Sequence, residues 1–325
     1  KYKTFTNSSD AKVYINEKGA PIVIKADGLA AGKGVVVAMS IQEALSTVDS
    51  MLEDNLFGDA GARVVIEEYL TGEEVSFIVI CDGNSILPLA SSQDHKRLLD
   101  LDLGPNTGGM GAYSPAPIVT PELHKKIMNE IIEPTIKGMQ KDGIEFTGFL
   151  YAGLMIINEE PFLIEYNVRM GDPECQTILP LLKSDFGKII VSCCDGNLSS
   201  ENIEWLDKKS LCIVLCSNGY PGIYAKKVKL NNVSDLEIES GQYIIHAGTK
   251  YENKELFATG GRVLNIVVTS NSFENSKNQA LKISTLMKPA PIQRNRLKTC
   301  PLGDFDMLKP NLTSKTFESA TQTSK

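Results

Sequence analysis

The stretch that decides the fold is Glu165-Tyr166-Asn167-Val168-Arg169-Met170-Gly171-Asp172-Pro173-Glu174. Its first residues continue an apolar run that is typical of a β-strand. Side chains at positions i and i+2 of a strand point to the same face. We therefore expect Glu165 and Asn167 to present two oxygen donors side by side, with Arg169 continuing the row.

The strand that carries these donors has a predicted partner. Residues 149–157 and 162–166 have the composition of two antiparallel strands that are separated by a short polar turn. An alternative is a solvated edge strand whose charged face has no function. The apolar residues Phe162, Ile164 and Tyr166 occupy the opposite face, and this alternation favours a strand that packs against the protein interior.

The chemistry of the row is that of phosphoryl transfer. Carboxylate and amide oxygens suit Mg²⁺, which keeps further positions for water and nucleotide phosphate. A guanidinium group such as that of Arg169 can stabilise the charge that develops on a transferring phosphoryl group.

A glycine-rich segment, Gly28-Leu29-Ala30-Ala31-Gly32-Lys33-Gly34, lies between two predicted strands at 21–25 and 35–39. It is not a Walker A loop, because three residues separate the first glycines and no Ser or Thr follows the lysine. Its backbone N–H groups can still approach a phosphate closely, and Lys33 and Lys25 can supply positive charge. A plain hairpin turn with surface lysines is the alternative.

Two further segments carry charge or glycine. One is a hinge over residues 67–76, with the sequence Glu-Glu-Tyr-Leu-Thr-Gly-Glu-Glu-Val-Ser, whose backbone can face an adenine edge. Within it, Glu74 can accept hydrogen bonds from ribose hydroxyls. A solvated acidic turn is the alternative. Residues 104–113 follow the charged cluster Asp94-His95-Lys96-Arg97, and their successive amides can form an anion-binding nest. A flexible surface loop is the alternative there, and His95 alone indicates no catalytic role.

The remaining pattern predicts several elements. Ser40-Ile41-Gln42-Glu43 is a capping box, and a helix follows it to about residue 52. Helical spacing also covers 121–141, about 175–182 and 186–194, whereas 98–117 is predicted to be a long loop with little regular structure. Short strands are predicted beyond about residue 205.

Composition limits the class of protein. The 325 residues contain 33 Lys+Arg and 40 Asp+Glu, so the net charge of −7 argues against salt-driven binding to nucleic acid. No stretch approaches the ~20 apolar residues that a membrane span needs. Seven cysteines without a C-x-x-C pair indicate reduced thiols and a cytoplasmic location.

Taken together and in order, the segments resemble the glycinamide ribonucleotide synthetase (phosphoribosylamine–glycine ligase) family of the ATP-grasp superfamily, over about residues 18–269. Three shorter strings in the C-terminal part add to the resemblance: Gly219-Tyr220-Pro221-Gly222, His246-Ala247-Gly248-Thr249 and Gly260-Gly261-Arg262-Val263. The resemblance implies an α/β (α+β) fold with an ATP-grasp core. We expect a lid subdomain over 1–70, the core with the metal and substrate site over 71–208, a small C-terminal α+β subdomain over 209–288, and a disordered tail over 289–325.

The resemblance also implies a reaction: ATP-dependent ligation of glycine to 5-phosphoribosylamine, in purine biosynthesis. It assigns ATP binding to Lys25, Gly28, Gly32, Lys33, Gly34, Glu67, Glu68, Leu70 and Glu74. It assigns Mg²⁺ or Mn²⁺ to Glu165 and Asn167, and catalysis to Lys96, Arg169 and Asp172. It places glycine and the ribonucleotide among Asp94, Thr107, Gly108, Gly109, Met110, Gly171 and Pro173.

The sequence departs from the family at both ends. The family's G-x-G-G-R-E-H string and the lysine-bearing stretch before the lid are not matched, nor is its closing Y-R-x-D-I-G-like segment. We therefore expect an N-terminally truncated and C-terminally divergent chain, with weak nucleotide binding and very low synthesis on its own. It can also belong to a longer polypeptide, since animal members are fused to other purine enzymes. The alternatives are another ATP-grasp ligase and a non-catalytic nucleotide-binding fragment.

Overall fold

The computed structural model describes residues 1–28, 34–54, 61–99, 103–231, 233 and 235–286. The predictions for Gly32, Lys33 and the tail over 289–325 therefore lie outside the described residues. The chain divides into two compact units, unit 1 over Lys1–Glu73 and unit 2 from Glu74 onward. The finer predicted boundaries of the subdomains stay predictions.

In its described residues, unit 1 is a four-stranded antiparallel sheet with two helices, in the strand order β1-β4-β2-β3. Its elements are β1 (Tyr2–Phe5), α1 (Ser8–Lys18), β2 (Ile22–Ala26), β3 (Val35–Ala38), α2 (Ile41–Leu52) and β4 (Val64–Glu68). The fully buried side chains of Ile15, Ile24, Val48 and Ile66 join both helices to the sheet. The predicted strand pair around the glycine segment is confirmed, whereas β1 and α1 were not predicted.

The predicted capping box at the start of α2 is present with one change. The Ser40 hydroxyl accepts the Glu43 N–H at 3.2 Å. The Glu43 carboxylate accepts the N–H of Met39 at 2.9 Å, one residue earlier than the usual reciprocal bond.

Unit 2 contains the predicted strand pair and the predicted helices. Its elements are β5 (Glu73–Asp82), β6 (Ile86–Pro88), β7 (Gln93–Asp94), β8 (Arg97–Leu99), β9 (Leu103–Asn106), β10 (Gly111–Ser114), α3 (Pro121–Ile127), α4 (Glu133–Lys141), β11 (Thr147–Ile157), β12 (Glu160–Asn167), α5 (Glu174–Ile178), α6 (Phe186–Cys194), β13 (Lys209–Cys216), β14 (Val228–Leu230), β15 (Gln242–His246), β16 (Thr249–Glu252), β17 (Glu255–Ala258), β18 (Arg262–Ser270) and α7 (Phe273–Leu286). A π-helical turn, Met128–Ile132, joins α3 to α4.

Two sheets of unit 2 position the candidate site. One has the strand order β12-β11-β5-β6, and the other has the order β15-β18-β13-β10-β7. The second sheet pairs β7 and β10 of the predicted core with β13, β15 and β18 of the predicted C-terminal subdomain, so both regions contribute to one sheet.

The prediction that 98–117 is a loop with little regular structure is wrong. Strand β10 lies within it and pairs on both sides, with β13 and with β7. Its four residues, Gly111-Ala112-Tyr113-Ser114, are all buried. Four mostly small residues are too few to give a periodic signal, and β13 lies about a hundred positions along the chain.

The predicted apolar face of β12 packs against the protein interior only in part. Ile164 and Tyr166 are half-buried, but Phe162 is 40% exposed. The pairing of β11 with β12 shifts register between Gly153 and Leu154. A bulge of this kind interrupts the alternation of side chains, which explains why the pattern fails at the start of the strand.

Candidate functional site

The predicted metal pair lies on one face of β12. The Asn167 amide nitrogen is 3.4 Å from a Glu165 carboxylate oxygen, and the Arg169 guanidinium is 3.4 Å from the Asn167 amide oxygen. The i, i+2 geometry therefore brings all three side chains together. Their roles as metal ligands and catalytic residue stay predictions.

Glu165 and Asn167 can hold a cation only if other ligands complete its coordination. Among the described residues, no cluster of three or more His, Cys, Asp and Glu side chains could hold a metal ion by itself. Mg²⁺ is commonly held by one or two protein oxygens and completed by substrate phosphates and water. Glu165 and Asn167 match that donor set, so a nucleotide would have to supply the remaining ligands.

Lys96 connects several of the predicted residues. Its ammonium group forms an ion pair with Glu74 at 2.6 Å. Burial lowers the pKa of Lys96, but the charges of Asp94, Glu74 and Glu165 outweigh it, and the pKa is raised. Lys96 therefore stays a cation among three carboxyl groups. Glu74, which was predicted to bind the ribose, is bound to Lys96 in this structure.

Asp94 has a pKa that is shifted towards neutrality. Burial raises its pKa to about 7; the Lys96 charge opposes this shift, and the charges of Glu174 and Glu74 add to it. The neighbouring His95 differs, since burial lowers its pKa to about 4 and leaves the ring neutral.

A buried network that the sequence did not reveal lies beside these groups. The Tyr151 hydroxyl donates to the Glu174 carboxylate at 2.8 Å, and the Ser76 hydroxyl donates to it at 3.2 Å. Glu174 is only 4% exposed. Burial, with the Glu174 charge, raises the pKa of Tyr151, so the phenol stays protonated. A Cβ at Gly171 would lie 2.4 Å from the Glu174 carboxyl group, so this glycine is required by close approach.

The backbone amides of the glycine-rich loop over 107–110 all donate hydrogen bonds to other groups of unit 2. The Thr107 amide donates to the Lys96 carbonyl, and the Met110 amide donates to the His95 carbonyl, each at 2.7 Å. The Gly108 amide donates to the Tyr220 hydroxyl at 2.8 Å and the Gly109 amide to the Thr107 hydroxyl at 3.1 Å. These amides are therefore not available as the predicted anion nest. The role of Thr107, Gly108, Gly109 and Met110 in substrate binding stays a prediction.

Asp172, predicted as catalytic, is engaged by a residue that was not assigned. The guanidinium of Arg262 forms an ion pair with its carboxylate at 2.9 Å. The side-chain amide of Gln176 donates to the same carboxylate at 2.8 Å. Pro173 is buried against Gly109, where a Cβ would lie 2.6 Å from the proline ring. Arg262 and Tyr220 both lie in strings that carried the family resemblance, which is the one signal that could have found them.

The predicted ATP-binding residues of unit 1 lie at the ends of its strands. Lys25, near the end of β2, forms an ion pair with Glu67 of β4 at 2.6 Å. Gly28 and Gly34 flank the loop residues that are not described, and the Gly34 carbonyl accepts the Ala26 N–H at 2.7 Å. Glu68 contacts the amino group of Lys1, and Leu70 is half-buried just beyond β4.

Within the described ranges, no helix is both long and apolar enough to cross a membrane. The cysteines among these residues are free thiols, at positions 81, 175, 193, 194, 212 and 216.

Two family models match the chain. The model of the phosphoribosylglycinamide synthetase ATP-grasp (A) domain matches residues 1–175, and that of the C domain of the same synthetase matches residues 210–290. The first match alone covers more than half of the chain. The expected α/β fold with an ATP-grasp core is confirmed.

Named proteins are similar to the chain in sequence and in structure. The chloroplastic phosphoribosylamine–glycine ligase of Arabidopsis thaliana is 51% identical over 284 residues, and the ligase of Brucella melitensis is 50% identical over 286. These matches cover 86% and 88% of the chain. The crystal structure of the ligase from Thermotoga maritima superposes with a TM-score of 0.79 at 32% identity, covering 88% of this chain and 70% of that one.

The chain is shorter than these relatives. It spans 53% of the Arabidopsis protein and 67% of the Brucella protein. With both family models in their expected order and about half of the aligned residues identical, the chain belongs to the phosphoribosylglycinamide synthetase family of ATP-grasp proteins.

Proposed function

We propose that this chain serves the ATP-dependent ligation of glycine to 5-phosphoribosylamine, which yields glycinamide ribonucleotide, ADP and phosphate in de novo purine biosynthesis. The observation that carries the proposal is the row of Glu165, Asn167 and Arg169 in a chain that is half identical to two named phosphoribosylamine–glycine ligases. The two oxygen donors suit a divalent cation, and the guanidinium suits the γ-phosphoryl group of ATP.

The reaction has two steps. The glycine carboxylate attacks the γ-phosphorus of ATP, the bond from that phosphorus to the bridging oxygen breaks, and glycyl phosphate and ADP result. The amine of 5-phosphoribosylamine then attacks the glycyl carbonyl carbon, an amide bond forms, and phosphate leaves with loss of the amine proton. Both steps move negative charge onto phosphate oxygens, so fixed cations are the groups that matter most.

Residues of unit 2 supply those cations. Arg169 is exposed at the end of the row and can meet the transferring phosphoryl group. Lys96 is held as a cation among carboxylates and can balance a second anionic group. Mg²⁺ or Mn²⁺ held by Glu165 and Asn167 would neutralise nucleotide phosphate oxygens. Asp94, Asp172 and the loops that contain Thr107–Met110 and Gly171–Pro173 are proposed to position glycine and the ribonucleotide.

The residues of unit 1 are proposed to serve ATP. Lys25, Gly28, Gly32, Lys33 and Gly34 would bind its phosphates, and Glu67, Glu68 and Leu70 would line the adenine. Glu74 is proposed to bind the ribose. The ion pair of the half-buried Lys25 with Glu67 supports this assignment, because it brings together two of the residues proposed to bind ATP. We also propose a cytoplasmic location, supported by the free cysteines.

The test is ADP release by this chain in the presence of ATP and Mg²⁺, with glycine and 5-phosphoribosylamine each present or omitted. We expect release by this chain to be slow but to require both substrates, and to fall to the background rate in Glu165→Gln, which removes a charged donor and keeps its shape. Glu133→Gln is the matched control, because Glu133 is paired with Lys137 on an exposed helix face.

Two outcomes would contradict the proposal. Turnover with a different acid or amine, and not with this pair, would indicate another ATP-grasp ligase. ATP binding without two-substrate turnover would indicate a non-catalytic nucleotide-binding chain.

A further inference from the structure

We propose that Arg262 is a positioning residue for this reaction: its guanidinium ties the Gly109 turn to Asp172 and holds two candidate substrate loops in register. The inference rests on the proposed function for its kinetic consequence, whereas the tie itself can be tested without turnover. The two loops are residues 107–110 and residues 171–173, both in unit 2.

The contacts of the guanidinium define the tie. One terminal nitrogen donates to the Asp172 carbonyl at 2.6 Å and lies 3.5 Å from the Gly109 carbonyl. The other terminal nitrogen donates to the Asp172 carboxylate at 2.9 Å. The planar guanidinium can donate hydrogen bonds to three acceptors at once, which a lysine ammonium on its flexible side chain does less well. About a fifth of the Arg262 side chain is exposed, but about half of the Asp172 side chain is, so the bonds to Asp172 lie at the surface of unit 2.

Backbone hydrogen bonds hold Arg262 and the residue before it in place. Its carbonyl accepts the Gly248 N–H at 2.9 Å, and the carbonyl of the preceding residue, Gly261, accepts the Ser217 N–H at 2.7 Å. A second group from the same region, the Tyr220 hydroxyl, accepts the Gly108 N–H. Two neighbouring residues of the loop are thus held by two side chains that lie more than a hundred positions later in the chain.

The two side chains act on different groups of the loop: the Tyr220 hydroxyl accepts the Gly108 amide, whereas the Arg262 guanidinium contacts the Gly109 carbonyl. The loop is not an open nest that a substrate closes; it is shaped beforehand by Arg262 and Tyr220. Reacting groups displaced by about 1 Å can lose about 100-fold in rate. Loosening the tie should therefore weaken the use of glycine and 5-phosphoribosylamine and spare the use of ATP.

The experiment compares four variants with the wild-type chain. Arg262→Met removes the contacts of the guanidinium, and Arg262→Lys keeps one cation near Asp172. Tyr220→Phe removes the hydroxyl that accepts the Gly108 amide. Lys183→Met is the control, because it breaks an exposed ion pair with Glu204 in the same unit. The measurements are hydrogen exchange resolved to the two loops, and KM and kcat for each substrate.

We expect hydrogen exchange in both loops to accelerate at least tenfold in Arg262→Met and by a smaller factor in Arg262→Lys. In Tyr220→Phe, exchange should accelerate near Gly108 alone. In all three variants β5 and β11 should exchange as in the control. The KM of glycine or 5-phosphoribosylamine should rise about tenfold in Arg262→Lys, with the KM of ATP changed less than twofold. A merely structural residue would change all three constants together.

Several results would overturn the inference. Loop exchange in Arg262→Lys equal to that of the wild type would do so, and this variant decides the matter if Arg262→Met does not fold. Equal effects on all substrates would also do so. If the wild-type chain shows no two-substrate turnover, the proposed function fails, and the exchange data alone decide whether the tie exists.

Discussion

Replacement of Gly171 by alanine should destabilise unit 2 by forcing the buried Glu174 carboxyl group out of its place. A Cβ at this position would lie 2.4 Å from the carboxyl carbon of Glu174. Ordinary contacts between non-bonded atoms are about 3.5–4.0 Å, so a shift of about 1 Å is needed. A free glutamate could swing aside, but this one is held by Tyr151 and Ser76 and is almost fully buried.

The magnitude follows from those contacts. Overpacking a buried site costs about 1–3 kcal/mol, and weakening hydrogen bonds to a carboxylate costs about 1.5–3 kcal/mol each when they are lost. We expect Gly171→Ala to lower the free energy of unfolding by about 3 kcal/mol. In the background of Glu174→Ala the clashing atoms are absent, so the same substitution should cost less than about 1 kcal/mol.

Urea unfolding followed by tryptophan fluorescence measures this cycle. Trp205 is the only tryptophan of the chain and lies in unit 2, against the cluster that contains Ile178. Its signal therefore reports the unit that contains the substitution. Equal costs of Gly171→Ala in the two backgrounds, with unchanged m values, would refute the argument from close approach.

Two further predictions follow from the pKa of Asp94 and from the cap of α2. Because the folded state keeps the Asp94 proton up to about pH 7 and the unfolded chain releases it near pH 4, the free energy of unfolding should fall as pH rises between these values. Asp94→Asn should reduce that fall by about 1–4 kcal/mol, at ~1.4 kcal/mol for each unit of pKa, which urea unfolding at pH 5 and pH 8 will check; equal pH dependence in variant and wild type would contradict it. Ser40→Ala should cost about 1 kcal/mol, seen as roughly fivefold faster hydrogen exchange at the start of α2, whereas Ser46→Ala on the exposed face of the same helix should not accelerate it.

The sequence predicted the parts of the site whose geometry is local. The spacing of Glu165, Asn167 and Arg169 suffices to place them on one face, because the alternation of a strand is a property of its own backbone. The start of α2 was predictable for the same reason, since the Ser40 cap acts on an amide three residues later. The family resemblance added the fold.

The tertiary structure decided everything that joins distant positions. The hydrogen bond from Ser76 to Glu174 spans 98 positions, the ion pair of Arg262 with Asp172 spans 90, and the bond from Gly108 to Tyr220 spans 112. No local pattern specifies such partners, because each depends on which strands become neighbours in a sheet. The glycines over 107–111 therefore suggested an open anion nest, while the folded chain satisfies the amides of 107–110 internally. By itself the sequence determined which side chains share a face; only the pairing of β10 with β13, and of β13 with β18, brought Tyr220 and Arg262 to the loop that they hold.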